Sequence, residues 1–209
     1  MTDQYWVIQS EQKSEIKVKG SKFIGEAILV ADAEGALQRL GNIRKREHAA
    51  THHCWAYRCG IGAKEECRCS DDGEPSGTAG KPIADAIAGH GVTNCLVVVT
   101  RYFGGTELGT GGLSRAYAES AKTALALSGR VERPVMSRVA VRIEVARYDI
   151  VAHLAGKIGA KQVSADFGEE VSVVYELRQS LVQSFMASII ESTSGRAVVK
   201  ELGEGNQYA

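Results

Sequence analysis

Two glycine-rich segments hold most of the side chains that could do chemistry. In the first, Ser70-Asp71-Asp72-Gly73-Glu74-Pro75-Ser76-Gly77-Thr78-Ala79-Gly80-Lys81-Pro82, three carboxylates, three hydroxyls and a lysine surround three glycines. Asp71, Asp72 and Glu74 offer oxygens of the kind Mg²⁺ takes, but the later ligands of an EF-hand loop are missing. Asx residues beside glycines more commonly close turns through local side-chain bonds. In the second segment the apolar run Cys95 to Val99 leads through Arg101-Tyr102-Phe103-Gly104-Gly105 to Leu108-Gly109-Thr110-Gly111-Gly112-Leu113-Ser114-Arg115, a glycine loop that opens a helix. The free N–H groups and dipole of such a helix start favour an anion by ~0.3–1 kcal/mol when exposed and up to ~2 when partly buried. Arg101 and Arg115 would add charge-assisted bonds. The competing reading is a tight turn that lets helix and strand pack closely, with Arg101 paired to a nearby carboxylate. No Gly-Lys-Ser/Thr follows, so the segment is not a P-loop, and it is a poor dinucleotide fingerprint.

His52, His53, Cys54, Cys59, Cys67 and Cys69 invite a zinc reading. No Cys-x2-Cys pair has a matching second pair, and strand alternation would put His52 and Cys54 on one face and His53 on the other. A Cys–His nucleophile needs a third, orienting group. We expect no metal site and no cofactor. Cationic side chains cluster as Lys13, Lys17, Lys19 and Lys22 and as Arg44-Lys45-Arg46. The second set would complement a helix C-terminus, and Lys17, Lys19, Lys22, Arg44, Lys45 and Arg46 form an RNA-facing patch only if the fold brings them together.

The elements that must position these groups follow from periodicity. Ile16 and Val18 alternate with lysines before Gly20-Ser21, predicting a hairpin over 11–30. Asp32 is an N-cap for a helix whose apolar stripe is Ala33, Ala36, Leu37, Leu40 and Ile43. Residues 53–59 read as a strand, 60–81 as turns, and Pro82 to Ala88 as a short helix. Cys95 to Val99 reads as a strand buried on both faces, 104–112 as a loop, and Leu113 to Leu127 as a helix ended by Gly129. Beyond Pro134 the order strand, helix, strand, strand, helix, strand is that of the ferredoxin-like motif. The expectation is an α+β protein of two domains, 1–134 and 135–209.

The 209 residues carry 25 Lys+Arg and 25 Asp+Glu. The two expected domains have 17 basic against 16 acidic residues and 8 against 9. Neither half is a bulk polyanion binder, so any RNA site is a local patch. The start of the chain lacks a signal-peptide pattern and no apolar run is long enough to span a bilayer; five clustered cysteines are an odd set, read as thiols. We read a cytoplasmic protein. Twelve of the 23 glycines fall within residues 60–112, which marks a shaped surface there.

His52-His53-Cys54-Trp55-Ala56, the Ser70–Pro82 segment and the segment from Arg101 to Leu113 together closely resemble the bacterial, YigZ-type branch of the IMPACT family. The resemblance covers nearly the whole chain. It implies an N-terminal βα sandwich like the second domain of a small-subunit ribosomal protein, and a C-terminal domain similar to the last domain of elongation factor G. Eukaryotic relatives modulate translation initiation by competing for a ribosome-associated activator of a starvation-responsive kinase. What transfers is a non-enzymatic, translation-related role, with RNA, the ribosome or a translation-associated protein as partner and no membrane or DNA specificity. The binding face would comprise His53, Asp71, Asp72, Gly73, Glu74, Lys81, Arg101, Tyr102, Gly104, Gly105, Gly109, Thr110, Gly111, Gly112 and Arg115. The alternative is a phosphate- or nucleotide-binding enzyme, since Gly109 to Ser114 faintly resembles the phosphate loop of the galactokinase and homoserine kinase superfamily. The serine pair of that loop is absent, and Arg115 stands where it would hold a small residue.

Overall fold

The computed structural model describes residues 3–204; residues 1, 2 and 205–209, the last of which end the expected second domain, lie outside them. By internal packing the chain divides into Tyr5–Arg133 and a second unit that runs on from Pro134 and includes Asp3 and Gln4.

The first unit is built on a five-stranded sheet in the order β2 (Gln12–Val18), β3 (Ser21–Leu29), β6 (Cys95–Tyr102), β4 (His52–Cys59), β5 (Glu66–Ser70), with every neighbouring pair antiparallel. Central β6 is buried on both faces, as its unbroken apolar run predicts. Cys95, Val97 and Val99 pack with helices α2 (Gly80–His90) and α3 (Gly109–Ser128), while Leu96 and Val98 meet helix α1 (Ala33–Arg46). The expected βα sandwich is thus three layers deep. Asp32 caps α1 by accepting the Gly35 N–H at 2.7 Å, and Ala36, Leu40 and Ile43 form its buried stripe.

Four elements depart from the sequence expectation. β5 forms in the stretch read as turns; its residues are mostly exposed and lack alternation, so β4 pairing rather than a hydrophobic face makes it a strand. Two short strands, β1 (Gln4–Ile8) and β7 (Arg130–Pro134), pair with each other. Helix α3 starts at Gly109, so Gly111 and Gly112 lie in its first turn instead of in a loop. First-turn N–H groups have no intrahelical partner, so glycine costs less there than in a helix interior.

In the second unit the sheet order is β11 (Val198–Glu204), β8 (Met136–Glu144), β10 (Glu170–Arg178), β9 (Lys161–Phe167), all antiparallel. That is the fourth, first, third and second strand of the unit. Helices α4 (Tyr148–Lys157) and α5 (Val182–Ser192) cover one face, packing Val151, Ala155, Phe185 and Ile189 on Val139, Val141, Ile143, Val173 and Tyr175. The βαββαβ expectation is met.

All five cysteines are free: Cys54, Cys59 and Cys95 buried, Cys67 and Cys69 exposed. Desolvation disfavours the thiolate, pushing Cys54 and Cys95 up to about 12 and Cys59 to about 11. A disulfide-exchange reagent at pH 8 should therefore label two thiols quickly and the other three only after denaturant is added; rapid labelling of all five in the native protein would contradict this packing.

Candidate functional site

The antiparallel order brings the C-terminal ends of β2, β6 and β5, the N-terminal ends of β3 and β4, the last turn of α1 and the first turns of α2 and α3 to one end of the first unit's sheet. Four connections meet there: the β2–β3 turn at Lys19-Gly20, the α1–β4 link, the β5–α2 loop of Asp71 to Ala79, and the β6–α3 loop of Phe103 to Leu108. Every recognised motif therefore lies at this end or beside it.

Arg101 sits on β6 directly between Phe23 of β3 and His52 of β4. Its residue is only 5% exposed. Nη1 donates to Glu74 Oε1 at 2.6 Å, and the Tyr117 hydroxyl donates to the same oxygen at 2.7 Å. Nη2 reaches the Ser21 hydroxyl at 3.4 Å, the guanidinium lies 5.5 Å over the Phe23 ring, and Phe23 meets Tyr117 edge-on. His52 Nδ1 is 2.8 Å from the Asp72 carbonyl, which can only accept, so this nitrogen carries the proton. Nε2 faces Glu74 Oε1 at 3.9 Å. The cluster ties strands β3, β4 and β6 to helix α3 and the β5–α2 loop.

Arg101 and Glu74 are therefore not presented to a ligand; the carboxylate-paired reading of Arg101 is the one realised. Asp71 is likewise internal to its loop, accepting N–H groups of Gly77, Ala79 and Gly80 at 2.8–2.9 Å. Burial alone would raise its pKa, but these three donors outweigh it and hold the carboxyl below its ordinary value. That stabilisation is present above the ordinary aspartate range and is lost as pH falls through the lowered value. Asp72, at positive φ, accepts the His53 N–H at 2.7 Å and pairs with Arg44. The three carboxylates that suggested a cation site thus have other partners, and among the described residues no His/Cys/Asp/Glu group is arranged to hold a metal ion.

His53 faces away from His52, as strand alternation requires, with Nε2 at 3.2 Å from the Glu47 carbonyl; desolvation lowers its pKa. Tyr102 donates to Glu47 Oε2 at 2.8 Å, which with Arg46 depresses that carboxyl against the opposing effect of burial. Part of the expected basic patch is paired with carboxylates. Arg46 pairs with Glu26 and Glu47, Arg44 with Asp72, and Lys81 with Asp85. Lys17 and Lys22 stand opposite each other across β2 and β3, Lys22 over the Tyr102 ring at 4.5 Å. Lys19 and Arg115 line a groove with Leu108 and Gly112 at the start of α3. Lys17, Lys19, Lys45 and Arg115 make no ion pair with any described carboxylate.

Gly73, Gly104, Gly105, Gly109, Thr110 and Gly111 are exposed. Gly104 packs against the β2–β3 turn so tightly that a Cβ on it would lie 1.9 Å from the Gly20 carbonyl carbon. The first turn of α3 has no side-chain cap. Residues the sequence reading left out complete the site: Tyr117, Ser21, Thr51 and Phe103. Tyr117 was open to detection, being a phenol on the buried stripe of an alanine-rich helix, where its hydroxyl must find a partner.

A three-layer domain with these motif loops at one sheet end, followed by a ferredoxin-like unit, is matched by known proteins. The Impact N-terminal domain model matches residues 19–125. An IMPACT family member of Haemophilus influenzae is 32% identical, covering 96% of this chain and 99% of its own length. The IMPACT family member YigZ of Escherichia coli is 30% identical, covering 91% and 94%. A crystal structure described as that of a hypothetical protein is similar at a TM-score of 0.74 and 28% identity, over 95% of this chain and 97% of that one. The chain belongs to the IMPACT family.

Removing one member of a buried ion pair strands the other. Glu74→Ala should destabilise the first unit by about 3–5 kcal/mol in denaturant unfolding, more than its small contact area implies. A loss under about 1 kcal/mol would show that Arg101 and Tyr117 do not depend on this carboxylate.

Proposed function

We propose that this protein is a non-catalytic, translation-associated binding protein that engages the RNA-rich surface of the ribosome through the motif-bearing end of its first domain. The observation that carries the reading is the division of labour at that end. Among the groups that could act as nucleophile, acid or base, Cys54 is buried with its thiol pushed up to about 12, and Glu74 is bonded to both Arg101 and Tyr117. The outward groups are Lys19, Lys45, Arg115, an aromatic ring and glycine backbone, which suit phosphate and base contacts. Family membership supports a translation-related role, since the resemblance carried by these motifs implies one. The cations present are few, so the expected affinity is modest and salt-sensitive.

Sedimentation through sucrose gradients tests the reading. The full chain should travel with ribosomes or a ribosomal subunit at low salt, and the Lys19→Glu/Arg115→Glu variant should show at least a several-fold reduction at unchanged melting temperature. Absence of co-sedimentation at about 50 mM salt, or a variant indistinguishable from the parent, contradicts it.

A further inference from the structure

Phe103 is 52% exposed at a place where the chain is otherwise fastened. Its N–H donates to Thr51 Oγ1 at 3.1 Å, and the next N–H, of Gly104, donates to Ser21 Oγ at 3.1 Å. Gly104 is locked against Gly20 by their backbone contact. The ring therefore projects from a backbone anchored on both sides. Behind it lies the buried Arg101, whose guanidinium carbon is 5.6 Å from the ring centroid. Gly104 and Gly105 follow, with no side chains to cover the ring.

Cations stand near the ring, in a groove that also carries Ile16, Val18, Leu108, Ala116 and Glu119. Lys19 adjoins Gly20, which touches Gly104. Arg115 lines the groove at the end of the same loop. Within 103–108 the one acidic residue is Glu107. A protein-docking hot spot is typically rimmed by contacts that exclude water around an apolar anchor. An aromatic face beside unpaired cations is instead the arrangement that holds single-stranded nucleic acid, with bases on the ring and phosphates on the cations.

We propose that Phe103 is a stacking platform for an unpaired base of single-stranded RNA, with Lys19 and Arg115 on the flanking phosphates. This rests on the RNA-contacting reading above and narrows it: duplex RNA keeps its base faces stacked and offers nothing to the ring. The order-of-magnitude contribution of one stacked base corresponds to roughly 5- to 150-fold in affinity.

The test is fluorescence anisotropy of the full chain with a labelled oligoadenylate of about 12 nucleotides and a duplex of equal length, over about 50–200 mM salt. The single strand should bind more tightly than the duplex. Phe103→Ala should weaken single-strand binding about tenfold with an unchanged salt slope and melting temperature, and Phe103→Trp should restore it. Lys19→Gln should reduce the salt slope by about 0.7. Equal single-strand binding by the parent and Phe103→Ala overturns the stacking proposal, while ribosome co-sedimentation leaves the broader reading standing. Loss of ribosome association in Phe103→Ala, with no oligonucleotide bound by the parent, assigns the ring to a protein partner and overturns it too. If the parent binds neither oligonucleotide nor ribosome, both readings fall.

Discussion

The ion pair between Arg101 and Glu74 is the constraint on which the motif-bearing end depends. A guanidinium on the central strand of a fully covered sheet cannot remain there without a partner, because desolvating it uncompensated costs several kcal/mol. Glu74 supplies that partner from a loop 27 residues away in sequence. To do so the β5–α2 loop must fold inward, which requires the turn that Asp71 closes with three backbone N–H groups. Tyr117 bonds to the same carboxylate and so registers α3 against the sheet. One buried charge thereby fixes the positions of a strand, a loop and a helix, and the conspicuous residues of both glycine-rich segments become parts of a single clamp.

The glycines have their place in the same arrangement. Gly104 and Gly20 allow two loops to touch backbone to backbone, and Gly25 lets β3 lie against Ser120 of α3, where a Cβ would come within 2.6 Å of the Ser120 carbonyl oxygen. With the loops fixed in this way, backbone, a few cations, the Phe103 ring, Thr106, Glu107 and Thr110 reach solvent.

Local pattern made part of this legible. The N-cap at Asp32, the apolar stripe of α1, the two-sided burial of Val97 and Val98 and the strand–helix order of the second unit are written in short-range periodicity, and the structure repeats them. The unread parts are those whose cause is distant. β5 has no hydrophobic face and exists because β4 pairs with it; β1 and β7 exist because they pair with each other. The start of α3 at Gly109 defied the expectation of a loop because glycine is judged by helix-interior propensity, which does not govern a first turn. At the site, residue types singled out Arg101, Glu74 and Asp71 as parts of a binding face. Their orientation, inward and mutually paired, depends on a long-range contact that no local spacing encodes. Phe103 lies outside the expected binding face, and its exposure follows from long-range anchors at Thr51 and Ser21.

The central claim is that Arg101 and Glu74 are engaged with each other inside the fold, where apolar packing could replace them, and do not touch the partner. The most direct measurement is ribosome co-sedimentation by an Arg101→Met/Glu74→Met/Tyr117→Phe variant, in which the ion pair and the hydroxyl bonded to it are replaced together by apolar groups of similar size, leaving no charge of the pair stranded. We expect a melting temperature close to that of the parent and undiminished association. Association lost at an unchanged melting temperature would mean that the buried pair reaches the ligand after all, and would contradict the account.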